Sequence, residues 1–558
     1  TNQHLPYCLQ LQTNVHNNYI TNNSSIGDEL FSATLSGGGG ATFCTGNDYY
    51  KFSYNWVCGN ISAGEGGGMV HLGEIQNGDI EHNSFVFNQS SNPTIPTNGG
   101  GIMIQGTPDT DPVCPGVPDT DCPPGLSDGT GHGLVINANL IQGNSADSGA
   151  GGGIRLQQVN GTEIGTFHLQ PQYWNDVTIT NNIIVNNMAG WDGAGISLQD
   201  ALKVNIINNT IAHNDSLASS GVLANSIGTP LASAPAGNCT MTGPTGANTA
   251  SCPQSAGVTS TLNSSLLRQA YAGLTLTCPA GHPNCSGFSN PILFGDVIVE
   301  NRSFHVGITG PGSGNLNQQN LIGLFDAFTS TAAPTQATTG ACSTGVSYWD
   351  LGVRGDGVTN GAPNHASGFT LTPVSSFVTA GYTGNGNSNS NPAVIASYCN
   401  GSRVPPECTV GDGCGGLHGF GVPPGIADAV TPNPLFSLVP SATVDEGNNW
   451  INVSWGPLSL TNPSVTGGAF GNYGGGSPLG NYSLQTTSPA IRYIPCQSGG
   501  GPCIRAAANG LPSLTLPGTD FFGNPRPDPG TGTGNGANCR GNGNKCVDAG
   551  AVELQIGR

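Results

Sequence analysis

Along this chain apolar residues recur at every second position inside very short runs, and Asn bounds the runs on both sides. One phrase, Asn-x-(Ile/Phe)-x-x-Asn, appears as Asn18, Ile20, Asn23; Asn83, Phe85, Asn88; Asn139, Ile141, Asn144; Asn182, Ile184, Asn187; and Asn209, Ile211, Asn214. A sixth copy opens on an acid: Asp296, Ile298, Asn301. A second phrase, Gly-Ile-x-(Ile/Leu)-Gln, precedes several copies, at Gly101 to Gln105, Gly153 to Gln157 and Gly195 to Gln199. Period-two apolar spacing in stretches too short for a helix marks strands with one buried face. Two alternating phrases predict a coil of two strands, with the phrase Asn residues and the Gly residues at its corners, because both tolerate left-handed backbone.

Stacked coils place like residues about 4.8 Å apart, close enough for an Asn amide to pair with the one above. The expected fold is an all-β solenoid. Ile102, Ile154 and Ile196 form one inward column, and Ile104, Leu156 and Leu198 another. Met103, Arg155 and Ser197, with Gln105, Gln157 and Gln199, form outward ones. The Gln column suits a surface ladder better than a sugar-binding stripe, since no aromatic platform accompanies it.

The interval between copies shrinks from 65 residues (Asn18 to Asn83) to 27 (Asn182 to Asn209), so the longer intervals carry loops or less recognisable coils. The expected organisation is coils over 1–225, a Ser/Thr/Gly/Cys-rich insertion over 226–295, further coils with long loops over 296–430, and a distinct terminal region over 431–558. One loop, residues 108 to 129, groups Asp109, Asp111, Asp119, Asp121 and Asp128 around Cys114 and Cys122. Paired carboxylates at a turn are candidate calcium ligands, although the ligand ladder of an EF-hand is missing. A solvated, disulfide-pinned acidic loop is the plainer reading.

Gly and Pro make up 88 and 40 of the 558 residues, a turn-rich composition just short of the range that signals low complexity. Only 13 residues are Lys or Arg and the net charge is -19, which argues against nucleic acid as a partner. No apolar run reaches the length of a membrane span, and "TNQHLPYCLQ" lacks the basic and apolar regions of a signal peptide. Export processing, or excision from a longer product, is the expectation for that start.

Seventeen cysteines point to an oxidising, extracellular compartment. Proximity suggests Cys44/Cys58, Cys114/Cys122, Cys239/Cys252, Cys278/Cys285, Cys408/Cys414, Cys496/Cys503 and Cys539/Cys546, with Cys342/Cys399 a looser pair and Cys8 left over. Spacings typical of structural zinc or c-type haem sites are absent, so disulfides are the expected use.

Together the phrases resemble the right-handed parallel β-helix class, the pectin-lyase-like fold. Toward the carboxyl end "NPLFSL" (433 to 438), "NYSLQTTSPAI" (481 to 491), "DFFGNPRP" (520 to 527) and "VDAGAVE" (547 to 553) follow in the order of the choice-of-anchor Q domain of secreted bacterial and archaeal β-helical proteins. Ser488, Pro489, Ala490 and Ile491 match its Ser-Pro-Ala-Ile, but Arg492 stands where the family usually has Asp. Asp520, Gly523, Pro525, Arg526 and Pro527, then Asp548, Gly550, Ala551 and Glu553, match the later phrases. The resemblance implies that these residues close the end of the solenoid, with Arg526 pairing with Asp520, Asp548 or Glu553, and that attachment to a cell surface is the role.

Polysaccharide lyases share this fold class, but fold does not fix function. A lyase needs a carboxylate-held cation and an Arg or Lys base. Arg155, Asp200 and Lys203 are the local candidates, with His71 and Glu74 on an earlier coil. Gly131, His132 and Gly133 match one phrase of the galacturonan hydrolases, without its companions. Sequons at Asn60, Asn88, Asn160, Asn238, Asn284, Asn301 and Asn452 are candidate glycan attachment points. The expected function is an extracellular surface or matrix protein with a structural, assembly or attachment role. It would partner itself end to end or by strand exchange, or else cell-surface components. The alternatives are a calcium-dependent polysaccharide lyase and a non-catalytic glycan-binding module.

Overall fold

A computed structural model describes residues 10–25, 37–92, 96–108, 126–147, 149–219, 251–311, 320–328, 342, 346–354, 368–399, 480–496, 503–527 and 546–555, with short strand pieces at 242–243, 246–247, 442–444 and 450–452. Its body is a parallel β-helix, with the right-handed crossover that parallel strands adopt. The chain visits four faces in turn. Face 1 stacks seven parallel strands from Ala41–Cys44 to Leu351–Arg354, and faces 2 and 3 stack eight each, from Asn14–His16 to Pro373–Val374 and from Tyr19–Thr21 to Phe377–Val378. Face 4 is built of two-residue strands such as Ser145–Ala146, and ends in a hairpin of Arg302–Pro311 with Asn320–Asp326.

The expected columns hold in register: Ile102 pairs with Ile154 and Ile154 with Ile196, while Ile104 pairs with Leu156 and Leu156 with Leu198. All are fully buried in one core with Ile141, Ile184 and Ile211 of face 3. The coil has four strands rather than two, because face 2 (Val177–Thr180, Val204–Ile207) and the short face 4 carry no fixed phrase. The long first interval hides a whole coil: Asn55, Val57 and Asn60 sit between the first two copies, with Val in place of Ile or Phe. The solenoid also resumes before residue 296. Val258–Thr261 is a face 1 strand and Ile292–Phe294 a face 2 strand, so the expected insertion over 226–295 contains coil.

The corners correct the reading of Asn as the turning residue. Positive φ falls on the residue before each phrase Asn: Asn17, Asn22, His82, Phe87, Ala138, Gly143, Asn181, Asn186, Asn208 and His213. Asn18, Asn23, Asn83, Asn88, Asn139, Asn144, Asn182, Asn187, Asn209 and Asn214 instead turn their amides along the solenoid and form two ladders. In the first, Asn83, Asn139 and Asn182 each give a backbone N–H (2.9 Å) and a side-chain amide (3.0 Å) to Oδ1 of the next Asn. The same amides also donate to backbone carbonyls, as Asn139 does to Ile80 at 2.8 Å. The second ladder runs from Asn23 through Asn60, Asn88, Asn144, Asn187, Asn214 and Asn301 to Asp350. Each ladder satisfies backbone groups that a tight corner would otherwise bury unpaired.

The described parts of the terminal region do not close an end. Tyr482, Leu484, Ile491, Ile494, Val547 and Val552 pack against outward residues of faces 2 and 3, including Ile183, Val185, Phe294, Val297 and Phe377. Gly550 N–H donates to Gly295 O at 2.7 Å and Asn208 Nδ2 to Asp548 O at 3.1 Å, fixing the segment along the flank. Arg526 does pair with Glu553, at 3.3 Å and fully buried, and donates to the carbonyls of Asp548 and Gly550. Residues 433 to 438 lie outside the described residues.

Candidate functional site

The four-residue strands of face 1, such as Ile102–Gln105, Ile154–Gln157 and Ile196–Gln199, each point two side chains outward, and Arg155 is one of them. The row of outward side chains is covered. Met103, Arg155 and Ser197, expected to face solvent, are buried, Arg155 to 2% exposure. The cause is the glycine turn preceding each strand. Gly99, Gly151 and Gly193 take positive φ and lie over the outward residue four positions on. A Cβ at those glycines would come within 2.8, 2.7 and 2.7 Å of the Cβ atoms of Met103, Arg155 and Ser197.

Beneath the turns is a connected polar cluster. Arg155 donates from Nη1 to Ser197 Oγ at 2.6 Å, from Nε to Gln157 at 3.4 Å, and from Nη2 to Gln157 and Gln199. Gln157 and Gln199 thus bind the Arg between them, while Gln105 takes no part in the cluster. Ser197 donates to Asp192, whose other oxygen lies 2.8 Å from Nε of Arg354. The Arg354 guanidinium sits 3.8 Å from the centroid of the half-buried Trp191 ring. Glu65 accepts from the backbone N–H and the side chain of Asn98 and reaches Arg155 through charge attraction, with no direct bond. Burial pushes Glu65 up to about 7 and the Arg155 guanidinium down to about 10, the latter against the pull of Asp192. Glu65, Trp191, Asp192 and Arg354 escaped the sequence reading because they sit in turns or on the last coil, where no phrase marks them.

The other candidates do not join Arg155 in one site. Asp200 is buried and accepts the backbone N–H of Ser264 at 2.7 Å; Ser264 in turn caps the helix Ser265–Ala270. Burial raises the Asp200 carboxyl. Lys203 faces another way, donating to Trp174 O at 3.3 Å and lying 3.9 Å from Asp176, which also holds His132 at 3.4 Å. His71 points inward, opposite Ile104 in register, with Nδ1 3.0 Å from the Tyr50 hydroxyl and Nε2 3.1 Å from Thr130 O. Burial lowers it to about 4, so it is a neutral core residue. Glu74 accepts from its neighbour Gln76.

Of the acidic loop, Asp109, Asp111, Asp119 and Asp121, with Cys114 and Cys122, lie outside the described residues. Asp128 accepts from Thr162 Oγ1 at 2.7 Å and ties the loop's last strand to the helix Thr162–Thr166. Cys278–Cys285, Cys342–Cys399 and Cys496–Cys503 are disulfides as expected, and Cys252 and Cys546 are each disulfide-bonded. Cys239, Cys408, Cys414, Cys539 and Cys8 lie outside the described residues. The expected Cys44/Cys58 bond is absent: both are free thiols, Cys44 exposed and Cys58 buried. They end strands on different faces, Ala41–Cys44 on face 1 and Trp56–Cys58 on face 3, so closeness in sequence is not closeness in space. Among the described residues, His213, Cys342 and Cys399 form a group with metal-type spacing. Its sulfurs are joined to each other, which removes the thiolates a metal would take.

Four of the sequons are structural. Asn60, Asn88 and Asn301 are ladder members, and Asn160 is buried against Glu163 and Asn175. Asn284 is exposed, while Asn238 and Asn452 have no described side chain. Among the described residues no helix is long and apolar enough to cross a membrane. The chain matches no family model, no curated protein and no solved structure.

Proposed function

We propose that this chain is an extracellular β-helical surface or matrix protein, with a structural role and a role in assembly or attachment. The observation that carries it is the fate of the face 1 row. Arg155, the side chain that a lyase would use as its base, is buried and donates to Ser197, Gln157 and Gln199, and Asp200 and Lys203 are engaged elsewhere. The polar residues there brace the solenoid from outside as the Asn ladders brace it from within. Disulfides across loops suit an oxidising compartment. The order of the phrases at 481 to 491, 520 to 527 and 547 to 553 supports kinship with choice-of-anchor Q proteins, and so attachment to a cell surface.

The test is incubation of the full chain with a panel of acidic polysaccharides and Ca²⁺, following unsaturated products by absorbance, beside sedimentation at rising protein concentration. No product from any substrate, with self-association or retention in a cell-envelope fraction, is the expected result. Product release that is abolished by Arg155→Ala overturns the structural reading in favour of a lyase.

A further inference from the structure

The outward column of face 3 runs Tyr19, Trp56, Ser84, Leu140, Ile183, Thr210, Val297, Phe377 in strand register. From Ile183 onward the terminal region packs over this flank. The first two positions of the column, Tyr19 at 85% and Trp56 at 42% exposure, stay uncovered, as does Tyr54 at the corner before Trp56, at 58%. Tyr54, at a left-handed corner, stacks on His82 of the next coil with centroids 5.0 Å apart and planes 5° from parallel. Beside the rings stands Lys51, paired with Asp79 and Glu81.

We infer that Tyr19, Trp56 and the Tyr54/His82 stack form a binding platform for a neutral polysaccharide running along the solenoid axis. A pyranose ring is flat, with apolar C–H faces and a hydroxyl rim, and it needs aromatic rings with hydrogen-bonding groups at their edge. The platform sets Tyr19 beside Trp56 in register on face 3 and the Tyr54/His82 stack at the corner leading into that face, with Ser84 next in the column and Lys51 and Glu81 on the adjoining strands of face 2. An acidic or sulfated chain is disfavoured, because the cation beside the rings is paired with two carboxylates and the chain as a whole carries -19. A protein partner fits less well: three rings already partly covered supply well under the ~800 Å² per partner of a standard interface. Large exposed aromatic side chains in one contiguous patch mark an interaction site. The platform lies on a different face from the Gln column, which is why the sequence showed no aromatic company for a sugar.

The inference rests on the attachment reading and gives it a ligand class. It is tested by native affinity electrophoresis of the full chain in gels containing a soluble β-glucan, an α-glucan or a mannan, and in gels containing polygalacturonate or a sulfated glycan. Retardation by at least one neutral glycan is expected. Trp56→Ala and Tyr19→Ala should each weaken it about tenfold, a loss of roughly 1.4 kcal/mol, whereas Phe522→Ala, at an exposed ring elsewhere (59%), should leave it unchanged. Tyr19 projects into solvent, so its variant reports on binding without a folding defect. Retardation by none of the neutral glycans, by anionic glycans alone, or undiminished in both aromatic variants overturns the platform. That outcome leaves the structural reading standing if the polysaccharide panel still yields no product; product release removes the structural reading whatever the gels show.

Discussion

Asn209 directs two donors, its backbone N–H at 2.7 Å and its side-chain amide at 3.2 Å, at a single oxygen, Oδ1 of Asp296. Asp296 is the point where the first ladder changes from amide to acid, and its second oxygen, Oδ2, is buried without a hydrogen-bond partner among the described residues. In Asn209 the corresponding atom is the amide nitrogen, which donates to Ile179 O at 2.9 Å. An ionised Asp296 would bury an acceptor where the ladder calls for a donor, and burial accordingly holds its carboxyl well above the usual range.

Asp296→Asn should therefore stabilise the protein, by about 1 to 3 kcal/mol at pH 7, the range for supplying a missing partner to a buried polar group. The folded-state pKa of Asp296 is raised, so its contribution to stability is fully present below its unfolded value and is lost as pH rises through the folded one. The gap in melting temperature between variant and parent should be small near pH 4 and widen toward neutrality. A gap that stays level or narrows over that range would sink the assignment.

Asn139→Ala interrupts the same ladder in mid-solenoid. It strands the backbone N–H and the amide of Asn83 and frees the carbonyl of Ile80. Each stranded group costs about 1 to 3 kcal/mol, so a loss of several kcal/mol in denaturant unfolding is expected. Asn205→Ala, on the outer side of face 2 with only a 3.5 Å contact from its amide to Thr178, should cost far less.

Arg155→Ala tests whether the face 1 cluster is a brace. It removes the buried guanidinium that donates to Ser197, Gln157 and Gln199, and leaving buried polar groups without their partner typically costs about 1 to 3 kcal/mol each. Calorimetry should show a lower melting temperature. An unchanged one would mean that Arg155 carries no structural load and would reopen the catalytic reading.

The free thiols give a direct check on the corrected disulfide pattern. Under native, non-reducing conditions Cys44 should be alkylated before Cys58, since Cys44 is exposed while burial pushes the Cys58 thiol up to about 11. Cys58 should react once denaturant is added. A Cys44–Cys58 peptide in a non-reducing digest would contradict the structure.

Glycan mapping on material from a glycosylating host should find Asn60, Asn88 and Asn301 unmodified in folded protein. Each is buried with its amide committed to the second ladder, leaving no room for a sugar. Any of the three modified in soluble, folded protein would show that the ladder is not continuous.

By itself the sequence determined the repeat. Period-two apolar runs between Asn residues dictated stacked strands, and the columns at Ile102, Ile154 and Ile196 and at Ile104, Leu156 and Leu198 stand in register because side chains one coil apart share a face. Local sequence could not reveal what lies across a coil or along the flank. The tertiary structure decided that the residue before each Asn makes the turn, since only then can the Asn amide reach the next coil. It decided that glycine turns bury Arg155, that Cys44 and Cys58 end on different faces, and that the terminal region covers one end of an outward column and leaves Tyr19 and Trp56 bare. Periodicity is a property of neighbours along the chain; burial and pairing belong to neighbours in space, and in a solenoid these are separated by a whole coil or more.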